Sequence, residues 1–272
     1  MTVSTVSIGF DGLCVAVRSR APEVIAEVER TFRAMLIRPE DRGDVPVVAR
    51  LEVDRWGDGY RVAGGGVTPE HGSLREARRA VRYHTTRAFL EARPERFWVH
   101  AAAACRGRRA MLLAGHRGRG KSTLVTSLAR AGWRYLSDEA VPLDMTADLA
   151  APYPLTPNVR IGPGRNLTPE AVAALDKHDV QLGPGAICRE AVRITELVFV
   201  QYLPGASATL AAAAPGEAAL ELLESCLNYP RHGRWAVRYA ADLARRVPAT
   251  RLTFGDVDAA VRLLGSATDS PG

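Results

Sequence analysis

The sequence predicts an α/β fold, and three observations carry that prediction. The apolar run 110–114 has the length of a buried strand, and the stretch 122–131 places Leu124, Val125, Leu128 and Ala129 at helical spacing. Between them lies Gly115-His116-Arg117-Gly118-Arg119-Gly120-Lys121-Ser122-Thr123, in which Gly115, Gly120, Lys121 and Ser122 fit the G-x-x-x-x-G-K-[ST] pattern. Further strand-like and amphipathic stretches alternate on both sides of this unit, as expected of layered α/β chains.

The pattern has a physical meaning. Backbone N–H groups of such a loop cradle phosphates, the lysine reaches the β and γ oxygens, and the hydroxyl ligates Mg2+. It works only between a strand and a helix, and both flanks here agree; Gly132 then stands where a left-handed helix stop is expected. The helix carries the chain roughly 16 Å from the loop, and a strand over 133–137 returns it by about the same distance. Asp138 and Glu139 are thus expected level with the phosphates, where a carboxylate can hold Mg2+ or accept the proton of an attacking hydroxyl. An acidic strand end in water is the plainer alternative.

Size and composition bound the rest. The 272 residues are enough for a sizeable core, and 47% hydrophobic with 24% charged residues is ordinary for a globular chain. The net charge of +6 is scattered arginine rather than a basic stripe, and aromatics are only 6%, which argues against nucleic acid as a partner. Cys14, Cys105, Cys188 and Cys226 show no metal-ligand spacing. The start lacks a signal-peptide pattern and there is no run of eighteen or more apolar residues, so no membrane partner and a cytoplasmic location are expected.

In chain order, 3–8 and 12–17 read as a hairpin around Asp11-Gly12, 22–35 as an amphipathic helix, and 47–53 and 60–62 as strands. Ser73 caps a helix to residue 92, with Glu76 completing a capping box. This gives a small N-terminal α/β unit over 1–95 without a catalytic constellation. The second domain, 96–265, opens with one apolar strand over 97–105 that contains His100, by residue type a core histidine. The proline-rich 151–157 reads as a loop over the site, and Arg160 as a surface arginine or as a charge stabiliser beside the nucleotide. Residues 162–185 read as a mobile insertion, 195–202 as a strand, 215–227 and 234–246 as helices, 250–254 as a strand, 256–264 as a helix, and 266–272 as a disordered tail.

The strand bearing His100, the hairpin after it, the loop Gly115 to Ser122, and Gly132-Trp133-Arg134-Tyr135-Leu136-Ser137-Asp138-Glu139 together resemble the catalytic domain of HPr kinase/phosphorylase. The resemblance is closer to the shorter HPr kinase-like proteins of bacterial peptide natural-product clusters, such as the lasso peptide kinases. The resemblance spans about 100–264, with motif support over 100–139. It implies a P-loop-containing HPr kinase-like domain, with Lys121 and Ser122 as phosphate and Mg2+ ligands. It further implies Asp138 as the base toward the acceptor hydroxyl and His100 beside the reacting phosphates. Glu139 stands where the bifunctional enzymes carry a second aspartate, and the glycine-rich loop linked to their phosphorylase activity has no counterpart here.

The expectation is therefore an ATP-dependent phosphotransferase, with ATP and Mg2+ as cofactors and a serine or threonine of a peptide or small protein as acceptor. Catalytic candidates are Asp138, His100 and Lys121; nucleotide contacts run from Gly115 to Thr123; metal candidates are Ser122, Asp138 and Glu139. The related bifunctional enzymes are oligomers, so a homo-oligomer is implied by resemblance. Two alternatives use the same loop: a nucleotide hydrolase acting as a switch, and a non-catalytic nucleotide-binding module that recruits a peptide.

Overall fold

The computed structural model describes residues 2–116, 118–160 and 177–266. It is a mixed α/β chain of two compact units, Met1–Pro94 and Glu95–Gly272.

In the first unit, β1 (Ser4–Phe10) and β2 (Leu13–Ser19) form an antiparallel hairpin, with Asp11 and Gly12 both at positive φ as the tight turn requires. Helix α1 (Pro22–Thr31) is shorter than the predicted 22–35, because the chain tightens into a 3-10 turn over Arg33–Met35 before β3 (Leu36–Ile37). Strand β4 (Val47–Trp56) lies parallel to β2, and β5 (Gly59–Gly64) and β6 (Val67–Gly72) complete a six-stranded sheet. Strand β6 has no alternating pattern and carries Pro69, which the sheet tolerates because β6 is its edge. Helix α2 (Leu74–Ala92) starts with the capping box: the Ser73 Oγ accepts from Glu76 N, and Ser73 N donates to Glu76 Oε2 at 2.8 Å. Its Ala77, Ala80, Val81, His84 and Phe89 form the buried face.

The second unit opens with β7 (Phe97–Val99), β8 (Ala102–Arg106) and β9 (Arg109–Ala114). Helix α3 (Lys121–Arg130) follows, then β10 (Arg134–Ser137), β11 (Val141–Asp144), β12 (Leu149–Ala150), β13 (Asn158–Arg160), β14 (Lys177–Asp179) and β15 (Val192–Arg193). The chain closes with β16 (Glu196–Tyr202), β17 (Thr209–Ala212), α4 (Pro215–Glu224), the single turn α5 (Tyr229–His232), α6 (Arg234–Arg246), β18 (Ala249–Phe254) and α7 (Val257–Ser266). The main sheet has the order β10-β8-β9-β16-β18-β17, with β9, β16 and β18 mutually parallel. Core lies on both of its faces, as parallel strands demand. Leu112 and Phe199 join Leu222, Tyr239 and Leu243 on one side, while Met111, Leu113, Val198 and Val200 join Leu124, Leu128 and Leu264 on the other.

In this second unit three further expectations are corrected. The apolar run 97–105 is two strands: it breaks at His100, β7 belonging to a smaller sheet of order β15-β12-β11-β7 and β8 to the main sheet. Nothing in a run apolar on both faces marks that break. The helix over 215–227 ends at Glu224, because the next residues pair with β7: His100 N donates to Ser225 O at 2.7 Å and Leu227 N to Trp98 O at 2.8 Å. The proline-rich 151–157 is no surface loop. All but Pro152 are buried, and Ala151 N and Tyr153 N donate to Pro142 O and Leu136 O at 3.0 Å each. Prolines have no N–H to satisfy, so a run rich in them can be buried without regular structure. Most of the expected insertion, 161–176, and the tail from 267 lie outside the described residues, while Ser266 closes α7.

Replacing Ser73 with alanine removes one half of the capping box and should destabilise the N-terminal unit by about 1 kcal/mol. The readout is a lower urea midpoint by circular dichroism, and Ser73→Asp, which keeps an acceptor oxygen, should restore it.

Candidate functional site

Strand β9 delivers the loop and α3 leaves it. Gly115 has φ +134, and a Cβ there would meet Val200 O at 2.9 Å, so the residue that opens the loop is pressed against β16. Gly120, at φ +89, is the N-cap of α3, and a Cβ on it would stand 3.1 Å from Phe254 Cζ. Both positions need glycine for conformation and for space. Helix α3 thus begins at Lys121, and the amides of its first turn, including Ser122 and Thr123, have no acceptor within the helix.

The Lys121 side chain is 6% exposed and turns back on its own loop, with Nζ 2.5 Å from Gly115 O and 3.1 Å from His116 O. It ties the two ends of the glycine segment together. His116 is exposed and lies 3.7 Å from Glu224, a solvent-screened pair of little energetic weight. Gly118 is exposed and Arg119 half-buried, while Arg117 lies outside the described residues.

The acidic residues reach the same edge by a different route. Ser137 pairs with Ala103, and Ala103 pairs with Leu112, so β10 ends level with the last residues of β9, across β8. Two strand spacings put them about 10 Å apart. Beyond that level the paired strands leave the main sheet together, and their pairing resumes at Val141 and Val99 in the smaller sheet. The residues between, His100 on one strand and Asp138 and Glu139 on the other, form a double bend. Such breaks in pairing turn side chains out of the ladder.

Hydrogen bonds fix the bend. His100 Nδ1 is 2.9 Å from Glu139 O; a carbonyl only accepts, so Nδ1 carries a proton. Asp138 is 6% exposed, and the hydroxyl of the fully buried Tyr135 lies 3.0 Å from its Oδ1 and 2.8 Å from Leu155 O. The buried proline-rich segment therefore supports the acid from behind. The sequence reading missed Tyr135, whose one available signal was a tyrosine in a short strand three residues before an aspartate. It also missed that Glu224 and Ser225 form a wall beside His116 and His100. Arg160 ends β13, half-buried, opposite Lys177.

The loop suits a phosphate chain: its glycines bring backbone close, first-turn amides are available, and an ammonium is stored against it. Among the described residues no three His, Cys, Asp or Glu side chains gather as a metal site. A divalent cation here would take most ligands from phosphate oxygens and water, with Ser122, Asp138 and Glu139 as the protein candidates, which is the habit of Mg2+. Among the described residues no helix is long and apolar enough to cross a membrane.

Gly120→Ala should cost about 1–2 kcal/mol from backbone strain, since the Phe254 ring can tilt away. Gly115→Ala should cost about 3 kcal/mol, because the obstructing atom is a strand carbonyl that cannot move. Urea unfolding of the two variants measures the difference.

No protein-family model matches the chain, and no curated protein does. Among solved structures that match is the HPr(Ser) kinase/phosphatase from Coxiella burnetii, at 12% identity and a TM-score of 0.33, covering 64% of this chain and 99% of that one.

Proposed function

We propose that this chain is an ATP-dependent kinase that transfers the γ-phosphoryl group to a hydroxyl, a serine or threonine of a peptide or small protein such as a natural-product precursor. One observation carries the proposal: the double bend holding His100, Asp138 and Glu139 stands at the sheet edge from which the loop 115–120 emerges. The strands that lead into the loop and into the buried carboxylate lie two strand spacings, about 10 Å, apart, which leaves room for a phosphoryl group and an acceptor hydroxyl between what they carry.

In this reading the loop amides and Lys121 hold the nucleotide's phosphates, Lys121 exchanging its bonds to Gly115 and His116 for bonds to anionic oxygen. Ser122 is the first protein ligand for Mg2+, which when bound supplies counter-charge to the phosphates. Asp138, fixed by Tyr135, takes the proton of the acceptor hydroxyl. His100, fixed by Glu139 O, lines the opposite side of the bend. Glu139 takes over metal ligation where Asp138 serves as base. Positioning and charge supply most of the rate, and ATP as donor implies a cytoplasmic site of action.

Magnesium-dependent transfer of labelled phosphate from ATP to a serine-containing peptide is the test. Nucleotide release without transfer would favour the hydrolase, and retention without turnover the recruitment module. Lys121→Ala should weaken ATP binding at least tenfold. Asp138→Asn should leave ATP affinity within about twofold and reduce transfer roughly 10²–10⁴-fold, the range for loss of a general base; full activity in Asp138→Asn would contradict its assignment.

A further inference from the structure

The core of the second unit contains a feature that phosphoryl transfer does not use. Cys105, the penultimate residue of β8, and Cys188, in the irregular segment before β15, are 83 positions apart in the chain, yet their sulfurs are 3.5 Å apart. Both side chains are buried. Arg134, directly opposite Cys105 in the β10–β8 register, brings a guanidinium to the pair.

We propose that Cys105 and Cys188 are a redox pair that closes to a disulfide on exposure to a peroxide and fastens the segment around Cys188 to the main sheet. The sulfurs need to approach by only about 1.5 Å to reach bonding distance. Two small apolar side chains in simple packing contact would gain nothing from an arginine beside them. An arginine does favour a thiolate, which is the reactive form. The hydrogen bond from the Cys105 thiol, aided by Arg134, holds Cys188 below the usual thiol range in spite of burial, and it raises Cys105. Cys188, in an irregular segment beside the exposed Arg189 and Glu190, is the sulfur a peroxide reaches first and hence the attacking one, and Cys105, held within β8, is the resolving one.

The chemistry balances with hydrogen peroxide as oxidant. The Cys188 sulfur attacks one peroxide oxygen, the O–O bond breaks, and the departing hydroxide takes up the Cys188 proton as water, leaving a sulfenic acid. The Cys105 sulfur then attacks the Cys188 sulfur; the S–S bond forms as the S–O bond breaks, and the second hydroxide leaves with the Cys105 proton as water. Two thiols lose two electrons and one peroxide gains them. Access needs only local opening: Arg189 and Glu190 beside Cys188 are exposed, and a backbone bond from Cys188 N to Tyr135 O at 2.8 Å anchors the segment. Tyr135 is the residue whose hydroxyl meets Asp138, so the cross-link would bear on the strand that delivers the acid.

The test uses the full chain and does not depend on its enzymatic reaction. The reduced protein is treated with hydrogen peroxide, alkylated with iodoacetamide and digested without reductant for mass spectrometry. The expected result is a peptide pair joining Cys105 to Cys188, lighter by two hydrogens than the separate peptides, with Cys14 and Cys226 alkylated and with release by dithiothreitol. In Cys105→Ser the link should vanish and a dimedone adduct should appear on Cys188. Alkylation of both Cys105 and Cys188 after treatment, or a link through Cys14 or Cys226, would overturn the proposal.

Discussion

Two paired strands that must leave one sheet at the same level are the constraint on which the second unit depends. Neither can turn away alone, because each would strand the other's backbone donors and acceptors in a dry interior. They leave together, β8 to β7 and β10 to β11, and the bend is closed by His100 N to Ser225 O at 2.7 Å and His100 Nδ1 to Glu139 O at 2.9 Å. A carboxylate that would elsewhere be a solvated strand end is instead 6% exposed and held by Tyr135. Burial raises the energetic stake of every contact that carboxylate makes, since the local dielectric is low.

The glycine loop and the bend share a rigid base. Strand β9 is covered on both faces, Leu112 toward one helical layer and Leu113 toward the other, and is paired on both edges, so the end that carries Gly115 cannot drift. Sites on such elements keep their geometry better than sites on loops. The segment around Cys188 is the opposite case, irregular and mostly exposed, with Cys188 itself as its buried point of attachment.

Legibility of the sequence followed the range of the interactions. The strand before Gly115 and the helix start at Lys121 were readable because a strand, a tight loop and a helix start are local and impose fixed spacing. The Ser73–Glu76 capping box was readable for the same reason, and the structure contains it. The break at His100 was not, since 97–105 is apolar on both faces and a change of sheet leaves no mark on hydrophobic pattern. Strand β6 was missed because an edge strand with Pro69 and mostly exposed side chains lacks alternation. Segment 151–157 was misread because prolines signal turns, although the same missing N–H lets a chain be buried. The Tyr135–Asp138 contact and the Cys105–Cys188 pair depend on tertiary closure, which no spacing rule encodes.

The kinase we propose requires a bound triphosphate to lie between the glycine loop and the bend. A crystal structure with Mg2+ and a non-hydrolysable ATP analogue measures this directly. The expected result is β and γ phosphates on the amides of 118–123 with Lys121 turned toward them, and the Asp138 carboxylate about 5–6 Å from the γ phosphorus, the gap that one hydroxyl spans. A triphosphate bound elsewhere, or an Asp138 turned away by more than about twice that distance, would contradict it.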